Sequence, residues 1–406
     1  MKKILLLSLL ALFLFVAWLL PQSDGYYPRS ARRILSAAPL IGRVFEETIT
    51  PEMVRAVYGT RPIKILLVPG HDNEYSGAVW NGLREADVNL QLANALQRFL
   101  TTDQNFSTQI TRNENTGNYN QELSNYFVTN REEIKSFRQR LRQTFVGLIQ
   151  SGAVEEKIIV SHNFAKEEVA QRLYGINKWA NEQGIDLAIH IHFNDYAGRS
   201  MSQAGRHNGL AIYIPERQYP NARFSAEIGQ SIFSQLNKIL PTSSLPGEST
   251  GLIEDQELIA LGSYASRDGG AVLIEYSYIY EPQVANVGVR SAWLTETAWQ
   301  TYLGIKNYFE PATTLPPSQI LQQPVSGPLH FGQRGNKQVL ALQRALQLDG
   351  SYPPAGRELG VCPINGNFGP CVQSAVTTFQ TKYALIDVPG QVGEQTLAEL
   401  NRRYGH

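Results

Sequence analysis

At 406 residues, 43% of them apolar, the chain is long enough for two or three domains and can fill a sizeable core. Lys plus Arg and Asp plus Glu both number 36, so no global field draws nucleic acid or another polyanion, and charge names no ligand.

Lys2 and Lys3 precede an apolar run from Ile4 to Leu20, broken only by Ser8 and followed by Pro21 and the polar Gln22, Ser23 and Asp24. The run exceeds the roughly 7–15 apolar residues of a signal-peptide core, and no small-x-small cleavage site follows it. Residues 1–24 therefore read as an uncleaved membrane anchor with a cytoplasmic N-terminus, everything downstream lying outside the cytoplasm, in the periplasm or cell wall. Residues 25–61 read as a juxtamembrane spacer, in which Thr50 caps a short helix begun by Pro51. From 62 to 308 short apolar strands alternate with amphipathic helices, which predicts an α/β domain on a twisted, mostly parallel sheet flanked by helices. Within it, about 115–168 reads as an insertion at the domain's edge, with a helix over 131–149 and a strand over 157–160 ending near His162. Residues 309–329 carry Pro311, Pro316, Pro317, Pro324 and Pro328, a composition expected to form a stiff extended linker. Residues 330–406 predict a small three-helix domain, with helices over 337–348, 372–384 and 394–403. Its Cys362 and Cys371 are the chain's two cysteines. They are placed to form a disulfide in an oxidising compartment, adding about 2–3 kcal/mol to a thin core.

Three apolar segments of the α/β domain end in residues that bind metals or move protons. Residues 63–68 run into Pro69, Gly70 and His71; residues 185–191 run through His190 to His192; residues 271–274 run into Glu275. Parallel strands bring such ends to one rim, so residues more than a hundred positions apart can meet there. Glu85 falls on the buried stripe of the helix after the first strand, with Val88, Leu92, Ala95, Leu96 and Phe99. A carboxylate on that face is costly unless paired or metal-bound. Two imidazoles and a carboxylate around an open position form the ligand set of a catalytic Zn2+ in hydrolases, with Glu275 as the proton acceptor.

At these residues the chain resembles the zinc-dependent N-acetylmuramoyl-L-alanine amidases. The motifs are Val-Pro-Gly-His71, Gly82-Leu-Arg-Glu85, His190-Ile-His192-Phe-Asn194 and Val272-Leu-Ile-Glu275, in the family's order. The C-terminal segment separately resembles a peptidoglycan-binding domain through Val339-Leu-Ala-Leu-Gln343, Asn365-Gly-Asn-Phe-Gly369 and Thr378-Phe-Gln380. The resemblance implies a zinc hydrolase that cuts the amide between N-acetylmuramic acid and L-alanine, with peptidoglycan as partner, and it leaves room for a regulatory protein partner. The rivals are an inactive wall-binding or regulatory protein and a zinc peptidase cutting within the stem peptide.

Two departures stand out. The family places a small residue two before the ligand histidine, where this chain has His190, on the same strand face as His192. Asn194 follows His192 at the family's spacing, which favours His192 as ligand and leaves His190 and Asn194 behind the ligands or against substrate. After His71 the family prefers glycines, whereas Asp72, Asn73 and Glu74 stand here. His162, His207 and His330 read as loop or surface histidines, Tyr276, Tyr278 and Tyr280 as packing residues, and a lid is a second reading of the insertion.

Overall fold

A computed structural model describes residues 47–157, 165–196, 198–200, 202–311 and 315–405. The anchor segment 1–24, His162 and the strand expected at 157–160, save Lys157, lie outside the described residues. No helix among the described residues is long and apolar enough to cross a membrane.

The chain opens with α1 (Pro51–Val57), whose N-terminus is capped as expected by the Thr50 hydroxyl accepting from the Met53 N–H at 3.1 Å. Then come β1 (Ile63–Pro69), the hairpin strands β2 (Val79–Trp80) and β3 (Leu83–Arg84), α2 (Glu85–Thr101), β4 (Phe106–Ile110), α3 (Gln121–Thr129), α4 (Arg131–Gln150) and α5 (Glu167–Glu182). They are followed by β5 (Leu187–Asn194), β6 (Ala211–Pro215), α6 (Ala222–Leu236), β7 (Leu252–Asp255), β8 (Gly270–Tyr278), α7 (Pro282–Ala285) and α8 (Val287–Phe309). Three more helices complete the chain: α9 (Lys337–Asp349), α10 (Pro370–Lys382) and α11 (Glu394–Tyr404).

Six strands form one sheet in the order β4-β1-β5-β8-β6-β7. All neighbours are parallel except β6 against β8, so the sheet is mostly parallel as expected. The central strands β1, β5 and β8 are buried on both faces, which is why they read as nearly unbroken apolar runs. Their alternate side chains feed two cores. Ile65, Leu67, Ile189, Ile191, Val272 and Ile274 pack beneath α2, α6 and α8. Leu66, Val68, Ala188, Tyr213 and Leu273 pack against Ile176, Trp179 and Ala180 of α5. Helices cover both faces of the central strands and leave their ends open, and there the site is built.

The insertion carries α3 as well as the expected α4, and it is not peripheral. Ile134, Phe137, Leu141, Phe145 and Leu148 form a buried stripe along α4 at three- and four-residue spacing. This stripe packs on Tyr174 of α5 and on Tyr219, Ala222 and Ala265. An apolar stripe of that length needs a partner, and the face of the sheet domain supplies it.

The proline-rich segment also departs from the expected extended linker. The Pro316 carbonyl accepts from the Trp299 indole N–H at 2.9 Å, and the Pro317 carbonyl accepts from Gln300 and Arg344 at 2.8 Å each. Leu321, Val325 and Leu329 are buried. Proline lacks a donor but keeps its carbonyl, so a segment rich in it can dock wherever a neighbouring helix presents side-chain donors. Glu296 of α8 ties the segment to the last three helices. Its carboxylate accepts from the N–H groups of Gln319 and Ile320 at 2.8 and 3.1 Å and pairs with Arg344 of α9 at 3.1 Å, both side chains being almost wholly buried. Glu296→Ala should lower stability by about 3–5 kcal/mol because it strands a buried guanidinium. Adding Arg344→Met should recover much of that loss in thermal unfolding. The Cys362–Cys371 disulfide is present.

Candidate metal and catalytic centre

His71 lies two residues past the end of β1, after Gly70, in the left-handed region at φ 63°, a conformation that costs a non-glycine residue about 1–2 kcal/mol. The loop after it holds that geometry. The Asp72 carboxylate accepts from the N–H groups of Glu74 and Tyr75 at 2.8 Å each and pairs with Arg172 of α5 at 2.7 Å. Asp72, which stands where the resemblance expects glycine, therefore closes the turn by its own side chain.

Glu85 is the first residue of α2, and the hairpin before it folds back on it. Its carboxylate accepts from the N–H groups of Ala78 and Phe193 at 2.9 and 3.2 Å, and its own N–H donates to the Ala78 carbonyl at 2.8 Å. Glu85 Oε2 lies 3.1 Å from His71 Nε2, and Oε1 lies 3.0 Å from His192 Nδ1. The two imidazoles meet edge to face with centroids 5.0 Å apart. One ligand atom from each of the three residues falls within 4.8 Å of the others. Burial opposes the charge on Glu85, yet His71 and His192 hold its carboxyl far below the usual range. Burial likewise works against protonated His71, but the Glu85 carboxylate outweighs it and raises the imidazole above its ordinary value.

Two glycines leave room for these side chains. A Cβ on Gly70 would stand 2.1 Å from His192 Cε1, and one on Gly77 would stand 2.3 Å from Glu85 Oε2. The Gly70 backbone cannot shift to relieve such a clash, because its N–H donates to Ile191 O at 2.9 Å and its carbonyl accepts from Asn89 at 2.9 Å. Gly70→Ala should therefore displace the His192 ring and weaken metal binding roughly 10- to 100-fold. Competition with a chromophoric chelator measures this, and unchanged affinity would contradict it.

Glu275 of β8 is the register partner of His192 on the adjacent strand, so both side chains rise from the same face of the sheet. Its Oε2 has no hydrogen-bond partner among the described residues. Burial, then the Glu85 and Glu248 carboxylates, push its proton affinity well above the usual carboxylate range. His190 lies deeper, 1% exposed, and among the described residues none makes a hydrogen bond of ordinary geometry to either ring nitrogen. Burial, then His192 and Arg267, lower its pKa to about 3, so it is neutral near pH 7. Asn194 does not face the metal ligands' carboxylate; its amide donates to Glu248 at 2.8 and 3.1 Å.

All three expected ligands and Glu275 thus converge on one rim, while His190 stands apart from the triad. Several supporting residues carried no signal in the sequence. Arg112, fully buried just beyond β4, donates to the carbonyls of Ala86 and Gly117 at 2.8 and 2.9 Å, bracing the start of α2. Buried Glu248 also accepts from Tyr213 at 2.8 Å and from Ser243 at 2.5 Å. It comes from a loop with no periodic pattern. Asn89 could have been found, since it lies one turn after Glu85 on the same helix face. His207 lies in a loop, one of the two places expected for it, but it is buried against Tyr196 with a 5.0 Å centroid separation and is not a surface residue. His330 is exposed, and Tyr276, Tyr278 and Tyr280 are buried and pack, as expected.

The N-acetylmuramoyl-L-alanine amidase family model matches residues 65–307, more than half of the chain, and a peptidoglycan binding domain model matches residues 335–400. No curated protein matches the chain. Similar solved structures include the CwlD amidase of Clostridioides difficile in complex with the GerS lipoprotein, at 14% identity and TM-score 0.41, covering 61% of this chain and 98% of that one. The Ami1 amidase of Mycobacterium smegmatis is similar at 14% identity and TM-score 0.40, covering 61% and 97%. The AmiC2 amidase of Nostoc punctiforme is similar at 16% identity and TM-score 0.38, also covering 61% and 97%. By its sequence from 65 to 307, the chain belongs to the N-acetylmuramoyl-L-alanine amidase family, enzymes that hydrolyse the amide between N-acetylmuramic acid and L-alanine in peptidoglycan.

Proposed function

We propose that this amidase works with a zinc ion held by His71, Glu85 and His192, and that Glu275 is its proton-transfer group. The convergence of the three donors within 4.8 Å carries the reading. The donor set fits zinc: two imidazoles and one carboxylate, with glycines at 70 and 77 where any side chain would enter the cluster. Zinc bound there supplies a Lewis acid for the amide carbonyl and lowers the pKa of a water to near neutrality.

The chain's own residues do the rest. Phe193 N–H and Ala78 N–H fix the Glu85 carboxylate, so the ligand is oriented before any metal arrives. Glu275 Oε2, unpartnered and one strand from His192, can take a proton from the attacking water. The surroundings that raise its proton affinity let it keep that proton until the leaving amine of L-alanine accepts it. His190 and Asn194 support the site from behind, Asn194 through Glu248.

The domains follow the same reading: residues 62–308 catalyse, residues 309–329 connect, and residues 330–406 hold the polymer. One matched domain is of a family that cuts peptidoglycan and the other of one that binds it, which supports a location outside the cytoplasm. Residues 1–24 would anchor it to the cytoplasmic membrane, and a regulatory protein would control it. The test is mass spectrometry of products from purified sacculi, with zinc and after chelation. Intact stem peptides beginning with L-alanine, released only with the metal, are expected; fragments cut within the stem would replace this reading with a peptidase.

A further inference from the structure

An open groove of about 640 Å³ lies where the β2–β3 hairpin, the start of α8 and the C-terminal domain meet, within the roughly 300–1,000 Å³ usual for ligand sites. Trp80, Tyr280 and Arg290 line it from the catalytic domain, Arg334 and Asn367 from the C-terminal one. Its walls are fixed against each other, because the two domains meet backbone to backbone. A Cβ on Gly335 would stand 2.1 Å from Asn286 Nδ2, and one on Gly366 would stand 2.6 Å from Val289 Cγ1. The lining groups are also held in place while they stay accessible. Trp80 is partly exposed, yet its ring meets Tyr280 edge to face with centroids 6.1 Å apart, and the Arg199 guanidinium lies 5.3 Å from both ring centroids. The side-chain oxygens of Asn286 and Asn367 accept from the N–H groups of Gly288 and Gly335 at 2.8 and 2.9 Å, which leaves each amide NH2 as a donor. Arg290 is fixed by donating to the carbonyls of Val284 and Ala285 at 2.5 and 2.9 Å. Among the described residues no aspartate or glutamate lines the groove, so it is a cationic, donor-rich surface with an immobilised aromatic platform.

We propose that this seam binds the glycan strand of peptidoglycan, so that the two domains grip one polysaccharide chain as a single surface. The inference rests on the amidase reading above for its polymer. An N-acetylated sugar strand offers what the groove lacks. Its acetamido carbonyls and hydroxyls accept from the two amides, and the C–H faces of its pyranose rings lie on Trp80. Its lactyl carboxylates, once the stem is cut away, pair with Arg290 and Arg334. A released stem peptide fits less well, since its terminal amine would meet two guanidinium groups and no carboxylate. The C-terminal domain then does more than tether the enzyme: it fixes the course of the strand past the hairpin that leads into Glu85.

The test uses the purified full chain and, as probe, peptide-free oligosaccharides of alternating N-acetylglucosamine and N-acetylmuramic acid, with binding read by titration calorimetry. Trp80→Ala and Arg334→Glu, one in each domain, should each weaken binding by about tenfold or more. Trp80→Phe, which keeps an aromatic face, should retain most of the affinity. Arg357→Ala, exposed and outside the groove, should leave it unchanged. Cleavage of a muramyl peptide with a single sugar, too short to fill the groove, should keep its kcat and KM in Arg334→Glu, which separates a lost contact from a lost fold. No binding by the wild type, binding that neither substitution weakens, or an equal loss in Arg357→Ala overturns the proposal. So do free stem peptides bound in place of the glycan and lost in both variants, since they would give the groove to the peptide. Glycan binding as expected, with no cleavage of the muramyl peptide by the wild type, would instead overturn the amidase reading alone, so the two failures are distinct.

Discussion

Glu275→Gln should leave metal affinity unchanged and lower stem-peptide release from sacculi by about 1,000-fold, within the range that loss of a general acid–base group produces. The substitution keeps the side chain's size and removes only its capacity to accept and return a proton. Glu275 touches none of the three metal ligands through a hydrogen bond; it stands across the β5–β8 register from His192. Zinc content of the purified variant and single-turnover release on one preparation separate the two effects. A variant that loses both metal and activity would show that Glu275 holds the site together instead of moving the proton.

His192→Ala should weaken zinc binding by well over about 100-fold, beyond what changes behind the ligands usually cause. His190→Ala should keep affinity within about tenfold of the wild type. The contrast follows from position. His192 Nδ1 approaches Glu85 at 3.0 Å and its ring meets that of His71, whereas His190 lies two residues deeper, in register with Val68 and Leu273. If His190→Ala released the metal and His192→Ala retained it, the assignment of the third ligand would be reversed.

The central strands, α2, α4 and the three C-terminal helices were legible because each carries a periodic pattern that its local sequence completes. The motifs at His71, Glu85, His192 and Glu275 were legible for a related reason. Each sits at the end of such an element, and parallel strands bring their ends to one rim. Packing decided the proline-rich segment, since its carbonyls and a few apolar side chains found donors and cover on α8. No local pattern could show that Glu296 would meet Arg344, 48 residues later.

By itself the sequence determined the α/β class, the identities of the three candidate ligands and the membership of both matched domains, because hydrophobic period and motif order are local properties of the chain. Only the tertiary structure decided that His190 stands apart from the triad, that Asp72 closes the loop holding His71, and that the two domains meet in a groove at the β2–β3 hairpin. Those outcomes depend on which side chains of distant segments satisfy one another's buried polar groups, a condition that exists only once the sheet has brought the segments together.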